Sequence, residues 1–561
     1  MLSLTKKALC VICLGLIGCG GDPAAVAPDA EVSDLAQRAG APLFEGMGAF
    51  HMPVTTTDPD AQRYFDQGMV LAFGFNHAES IRSFRAAQTL DPLCAMCFWG
   101  EALATGPNIN VTSDGKAIMS SDERVSARAA IDKALELIAA LTEKEQDWIR
   151  ALDQRYDGQT ASLRDPLDRA WADALEAMAK RYPEDTTVAS IYAEALMNTM
   201  PWNYWGPSGE AKPDTQAVIA SLERVMAADP DHPLALHLYI HALEASSNVQ
   251  KAELAADRLS DLVPGSGHLV HMPSHIYFRV GRYQDAALAN IRAADVDEAY
   301  IAQCNAQGFY PALYYPHNIH FLWASATMQG QSALSLESAR RVVANVRIEQ
   351  VEQFPTIQFF RTVPMLSLVR FARWEEILRE PEPHAPFAFA RAIWHYGRGV
   401  AYAATAQPEL AMAELGAIVA LEPEVDEIFM GNVYPAKDLL GIAKALLRGE
   451  LAYRQGSSAE AVEHFAEAVA LQDALPYTEP PFWYYPTRQS LGAALLADGR
   501  AEEAQAVFEA DLDQYPMNGW STFGLAEAMI AQGDEAGAKK VRDRFQTLWQ
   551  FADVTLNTSI L

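Results

Sequence analysis

Basic residues are scarce in this 561-residue chain: 43 Lys and Arg stand against 72 Asp and Glu, a formal charge of −29. Such a surface repels phosphate backbones and anionic lipid, so nucleic acid is excluded as a partner, and the charge speaks for solubility or for cationic ligands. After the N-terminal run, no stretch approaches the ~20 apolar residues of a membrane-spanning helix. Nucleophile elbow, phosphate loop and dinucleotide fingerprint are all missing, and with them the usual sequence signs of those chemistries. Cysteine numbers only six. The pair in Cys94-Ala-Met-Cys97 has no second CxxC to complete a zinc site and no following His for haem attachment. A local disulfide between Cys94 and Cys97, at the start of a helix, is the expectation that remains.

The N-terminus is informative in a different way. Lys6 and Lys7 precede an apolar run from Ala8 to Ile17, too short to span a bilayer as a mature helix and typical of an export signal. It closes on Leu16-Ile17-Gly18-Cys19, which resembles a bacterial lipobox. That resemblance implies a signal peptide over 1–18, diacylglycerol on the Cys19 sulfur, and a lipid anchor as the sole membrane attachment. Gly20 stands where an aspartate would suggest inner-membrane retention, so the expected location is the outer membrane, facing the periplasm or the cell surface. Residues 19–60, rich in Ala, Pro and Asp and without an apolar period, are expected to be a lipidated flexible tether. In an oxidising compartment Cys94, Cys97 and Cys304 are disulfide or metal material.

The folded part is periodic. Pro230 and Pro264 close successive units 34 residues apart, and with Pro233 and Gly267 as position 1 of their units, Ala252 and Ala286 coincide. Gly68, Ser80, Phe84, Ala87 and Pro92 fit the same frame, as do Gly449, Gly456, Ala461, Phe465 and Ala468, and Gly492, Gly499, Ala504, Phe508 and Pro516. This pattern resembles the tetratricopeptide repeat, in which small residues let two antiparallel helices close up and a proline ends the second. Phrases such as CAMCFWGEALATGPNIN, HMPSHIYFRVGRY and FWYYPTRQSLGAALL make the chain similar to a bacterial family of tetratricopeptide-repeat lipoproteins, a likeness that implies no function. The expected fold is all-α: a superhelical array of helical hairpins. It divides into N-terminal repeats over 61–230, His-rich repeats over 231–350, degenerate helical repeats over 351–440 and C-terminal repeats over 441–561. The Pro- and aromatic-rich stretch Pro476–Arg488 reads as a packed loop.

Eight of the thirteen histidines fall between His232 and His320. In the 34-residue frame His237 and His271 share position 5, His241 and His275 share position 9, and His268 takes position 2. With Pro316 as position 1 of the next unit, His317 and His320 take positions 2 and 5. The tetratricopeptide resemblance implies that positions 2, 5, 9 and 12 of the first helix line a concave groove. Seven histidines would then converge there, with Glu244 at position 12 as a carboxylate ligand, a base or a partner behind a ligand. Residues four apart share a helix face, and imidazole-rich, thiolate-poor ligation suits a transition metal such as Cu or Zn rather than Ca or Mg. Histidines stacking on Tyr239, Tyr277 and Tyr314 without any metal are the other reading. Three functions stay open: metal handling, metal-dependent chemistry on the His cluster, and a metal-free scaffold that presents its groove to envelope proteins or peptides.

Overall fold

A computed structural model of the chain describes residues 30–113, 116–206, 209–304, 310–353, 355–425 and 434–561. The export signal and Cys19 lie outside the described residues. The rest is a run of antiparallel helical pairs. Pro59–Phe73 packs on His77–Leu90, Ala388–Ala404 on Pro408–Leu421, Ala436–Arg454 on Ser458–Asp473, and Gly519–Ala531 on Glu535–Leu548. Among the described residues the only sheet pairs two short strands, Thr112–Ser113 and Lys116–Ala117. No helix there is long and apolar enough to cross a membrane. The architecture is an all-α solenoid of tetratricopeptide type.

The repeat residues explain why the pairs close. A Cβ added at Gly68 or Gly100 would sit 2.8 or 2.3 Å from the Phe84 ring, and Gly449 meets Phe465 at 2.5 Å in the same way. Phe508 lies between two such glycines, Gly492 and Gly524, and a Cβ added at either would sit 2.3 Å from its ring. An aromatic ring from the second helix therefore enters a notch that only glycine leaves in the first, and the next unit's glycine closes over it. The unframed stretch after Ser120 is helical too. Ser120 with Glu123, and Thr142 with Glu145, form reciprocal capping boxes that start Ser121–Leu137 and Glu143–Asp153 by satisfying otherwise orphaned backbone N–H groups.

The solenoid closes on itself. Trp520 Nε1–H donates to the Thr327 carbonyl at 3.1 Å, and Asp553 accepts from the Ser332 and Ala333 backbone at 2.6 and 2.9 Å. At the other end, the segment expected to be a tether is fixed to the body from Ala41 onward. Tyr64 OH donates to the Ala41 carbonyl at 2.6 Å, Thr55 N donates to Glu145 at 2.6 Å, and Thr57 N donates to Asp91 at 3.1 Å. Gly265 N donates to the Gly46 carbonyl at 2.9 Å. Leu35, Ala39 and Ala41 are buried. Tyr64, Glu145 and Asp91 of the body thus hold the segment's backbone with their side chains, which composition alone could not reveal.

Candidate metal centre

The central helices carry the histidines. His232 caps Pro233–Leu243, its Nδ1 accepting from Ala235 N at 3.4 Å, and so belongs to the scaffold. His237 and His241 follow one turn apart on that helix. Gly267–His271 and Pro273–Arg279 continue one another around Pro273, which lacks an N–H and interrupts the ladder between His271 and His275. His317 and His320 lie on Tyr315–Met328.

These side chains form two triads. The ligand nitrogens of His237, His241 and His268 lie within 4.8 Å of one another, as do those of His271, His275 and His317. The two triads are related by the repeat: each takes positions 5 and 9 of one unit and position 2 of the next. His320, at position 5 of the third unit, would begin a third triad, but position 9 there is Ala324. It turns away instead, stacking on Trp323 with ring centroids 5.0 Å apart and meeting Phe360 edge-on. His320 is thus outside both triads, a correction to its place among the candidate ligands.

The expected open groove is also corrected, because the cluster is buried. His237 and His271 have no exposed surface, His241, His268 and His275 very little, and only His317 is half-buried. Phe75, at φ 56° in the turn of the first described repeat, puts its ring 4.6 Å from His237 and 5.4 Å from His268. Tyr314 sits 4.8 Å from His268, and Trp202 covers His241 edge-on at 5.3 Å. The aromatic loop near Tyr477 closes the side of the second triad with Glu479, whose carboxylate reaches 3.3 Å from His275 Nδ1. Glu244, His275 and Glu479 form a third group of close ligand atoms.

The hydrogen bonds orient the imidazoles. His237 Nδ1–H donates to the Phe73 carbonyl at 2.7 Å. His241 and His275 donate from Nδ1 to the two oxygens of one buried carboxylate, Glu244, at 2.7 and 2.5 Å. Asn290 Nδ2 donates to the Ala286 carbonyl, so its Oδ1 is the acceptor for His271 Nδ1–H at 2.6 Å. Four Nδ1 groups are therefore donors to protein, the arrangement that fixes metal-bound histidine with Nε2 free to ligate. Nε2 of His237 and of His241, and both nitrogens of His268, are buried with no hydrogen-bond partner. His271 Nε2 and His275 Nε2 face each other at 2.8 Å. With both Nδ1 atoms donating, two bare lone pairs would repel at that distance, so a cation must lie between them: a proton on His275 or a metal ion.

Electrostatics agree with this division. Burial, then the neighbouring imidazoles, push His237, His268, His271 and His317 well below the usual histidine range, so they stay neutral and able to ligate. Burial alone would depress His275 as well, but Glu244 and then Glu479 outweigh it and raise it. Burial would raise Glu244, yet His275 and His241 hold it ionised.

Among the other candidates, Cys94 and Cys97 are joined as a disulfide across the first turn of Ala95–Thr105, with Cys94 its N-cap. Cys304 is a free thiol whose sulfur accepts from Arg82 at 3.1 Å, in neither triad. Sequence reasoning missed Glu479 and Asn290. Glu479 is the one acid in an aromatic, proline-rich loop, a signal that was present; Asn290, on a second helix outside the 2, 5, 9 and 12 positions, offered none.

No protein-family model matches the chain, and no curated protein matches it. Solved structures do. A human IFIT1 dimer with a capped RNA is 12% identical over 88% of this chain and 91% of its own, with a TM-score of 0.32. Yeast Tom70 is 12% identical over 87% and 93%, with a TM-score of 0.27. The Cut9 and Hcn1 hetero-tetramer is 14% identical over 87% and 73%, with a TM-score of 0.28. At these identities and TM-scores the likenesses carry no conclusion about the chain.

Proposed function

We propose that the chain binds two transition-metal ions, copper or zinc, one in each histidine triad. The observation that carries this reading is the first triad, where Nε2 of His237 and His241 and both nitrogens of His268 are buried without a partner; in the second, which repeats it, His271 and His275 turn their Nε2 atoms toward each other at 2.8 Å. Imidazole–metal bonds are ~2.0–2.1 Å long, which sets nitrogens around one tetrahedral ion about 3.3 Å apart; an ion would therefore need the His271 and His275 nitrogens, 2.8 Å apart, to open slightly and the wider pairs of each triad to close. Three imidazoles leave a coordination position open for water or a small molecule. Glu244 and Glu479 add two negative charges, which offset two monovalent ions fully and two divalent ions by half. Metal handling and metal-dependent chemistry are both consistent with such a centre. The export signal and the Cys19 lipobox support a lipid-anchored place in the bacterial envelope.

The test is elemental analysis and titration of untagged full-length protein with copper(I) and zinc. About two equivalents are expected per chain, and His271→Ala and His237→Ala should each remove one. A chain that takes up neither metal would sink the reading and return the fold to its other use, an interaction scaffold for envelope proteins or peptides, which repeat solenoids serve through extended surfaces.

A further inference from the structure

Beside the second triad lies a cavity of about 230 Å³. Its walls come from the far end of the chain and from the histidine helix together. Leu475, Tyr477, Glu479 and Trp483 form one side, and Phe278 and Arg279, next after His275 and Tyr277, form the other. Tyr477 is 39% exposed, which gives this wall a solvent side.

Three features define what the space can hold. Its volume is below the ~300–1,000 Å³ of pockets for drug-sized ligands, so the occupant is of the order of one aromatic ring with a small substituent. Its walls are aromatic. Two of its residues bring a buried polar group: Trp483 an Nε1–H donor without a partner, and Glu479 a carboxylate whose Oε2, 3.3 Å from His275 Nδ1, has capacity for a further donor. A hydroxyl group can satisfy both kinds at once, donating to one and accepting from the other. Anions are disfavoured. Arg279 is the cation there, but it donates to the Glu244 and Ser246 carbonyls and lies 4.0 Å from Glu479, while a second carboxylate would face Glu479 directly.

We infer that this cavity binds a small uncharged phenol, held against the ring faces with its hydroxyl between Glu479 and Trp483. Glu479 belongs both to this wall and to the ligand-atom group with His275 and Glu244, so the phenol sits one side chain from the second triad. Its role as a substrate or effector of the metal centre rests on the function proposed above; its binding does not.

The test is isothermal titration of the full-length protein, metal-free and zinc-loaded, with phenol, cyclohexanol and benzoate. Phenol should bind saturably with a Kd on the order of 1 mM or tighter. Cyclohexanol, lacking the ring, and benzoate, bearing a charge, should each bind at least about tenfold more weakly. Leu475→Trp, which fills the space, should abolish phenol binding, and Trp483→Phe, which removes one donor, should weaken it severalfold, both with zinc uptake intact. No saturable phenol binding by either form, equal binding of benzoate, or unchanged binding in Leu475→Trp would overturn the inference. Phenol binding by a chain that takes up neither zinc nor copper(I) would refute the metal reading alone, and metal uptake without phenol binding the cavity alone.

Discussion

Replacing Glu244 by glutamine should disable one triad and spare the other. The carboxylate is fully buried and accepts Nδ1–H bonds from His241 and His275, one on each oxygen. An amide of the same shape has one oxygen and one NH₂ group, so it can accept from only one of these rings. The other must turn its lone pair toward the NH₂, which moves its proton to Nε2 and removes that nitrogen as a ligand. His275 has a second acceptor within reach, Glu479 at 3.3 Å, and so keeps its Nδ1–H. His241 has none. The loss should therefore fall on the His237, His241 and His268 triad. Partners behind metal ligands typically contribute about 10–100-fold in affinity, or ~1.4–2.7 kcal/mol. Zinc competition against a chromophoric chelator should resolve two sites in the parent, the one containing His275 the tighter. In Glu244→Gln it should resolve one site weakened by that factor and one within about threefold of its starting value. If Glu244→Gln leaves both sites unchanged, or weakens them equally, the tautomer argument is wrong.

Three further outcomes follow from other parts of the structure. His320→Ala should leave copper or zinc stoichiometry and affinity unaltered within about twofold, yet cost about 2–4 kcal/mol through the lost buried ring; elemental analysis beside thermal unfolding separates the two effects. Gly100→Val should destabilise the first described repeats by about 1–3 kcal/mol, because its Cβ would lie 2.3 Å from the Phe84 ring, and a melting temperature equal to the parent's would refute the glycine–phenylalanine notch. Burial raises Asp511 to about 6. A carboxyl whose folded pKa exceeds its unfolded value of ~3.9 stabilises below that value and loses the contribution as pH rises through about 6. Asp511→Asn should therefore gain stability relative to the parent between pH 4.5 and 7.5 by an amount of order 2–3 kcal/mol, and a difference that does not change with pH in calorimetry would refute the assignment.

The helical pairs and their glycine–phenylalanine contacts are legible in the sequence because they are repeated. The 34-residue frame marks positions such as Gly492 and Phe508 whether or not the reader knows what touches what. The stretch after Ser120 is legible for another reason: each capping box is local, and its partners lie three residues apart. What closes the solenoid is neither repeated nor local. Thr55 meets Glu145 across 90 residues and Trp520 meets Thr327 across 193, so the segment after Ala41 reads as a tether and the groove reads as open. Phe75 covers the histidines from a turn whose positive φ leaves no sign in composition.

The same contrast runs through the metal centre. Its imidazoles obey the repeat, since His237, His241 and His268 in one triad correspond to His271, His275 and His317 in the other, and His320 stops where Ala324 replaces the next ligand. Its carboxylates break the repeat. The position of Glu244 is taken by Phe278 one unit later, and Glu479 arrives from a loop more than 200 residues away to stand beside His275 alone. Two ligand sets alike in imidazole are therefore unlike in charge. The triad containing His275 faces both carboxylates, the one containing His241 only Glu244, so the second set should hold the more highly charged ion more tightly. A zinc titration should fill it first, which His271→Ala would reverse by leaving only the weaker site to fill.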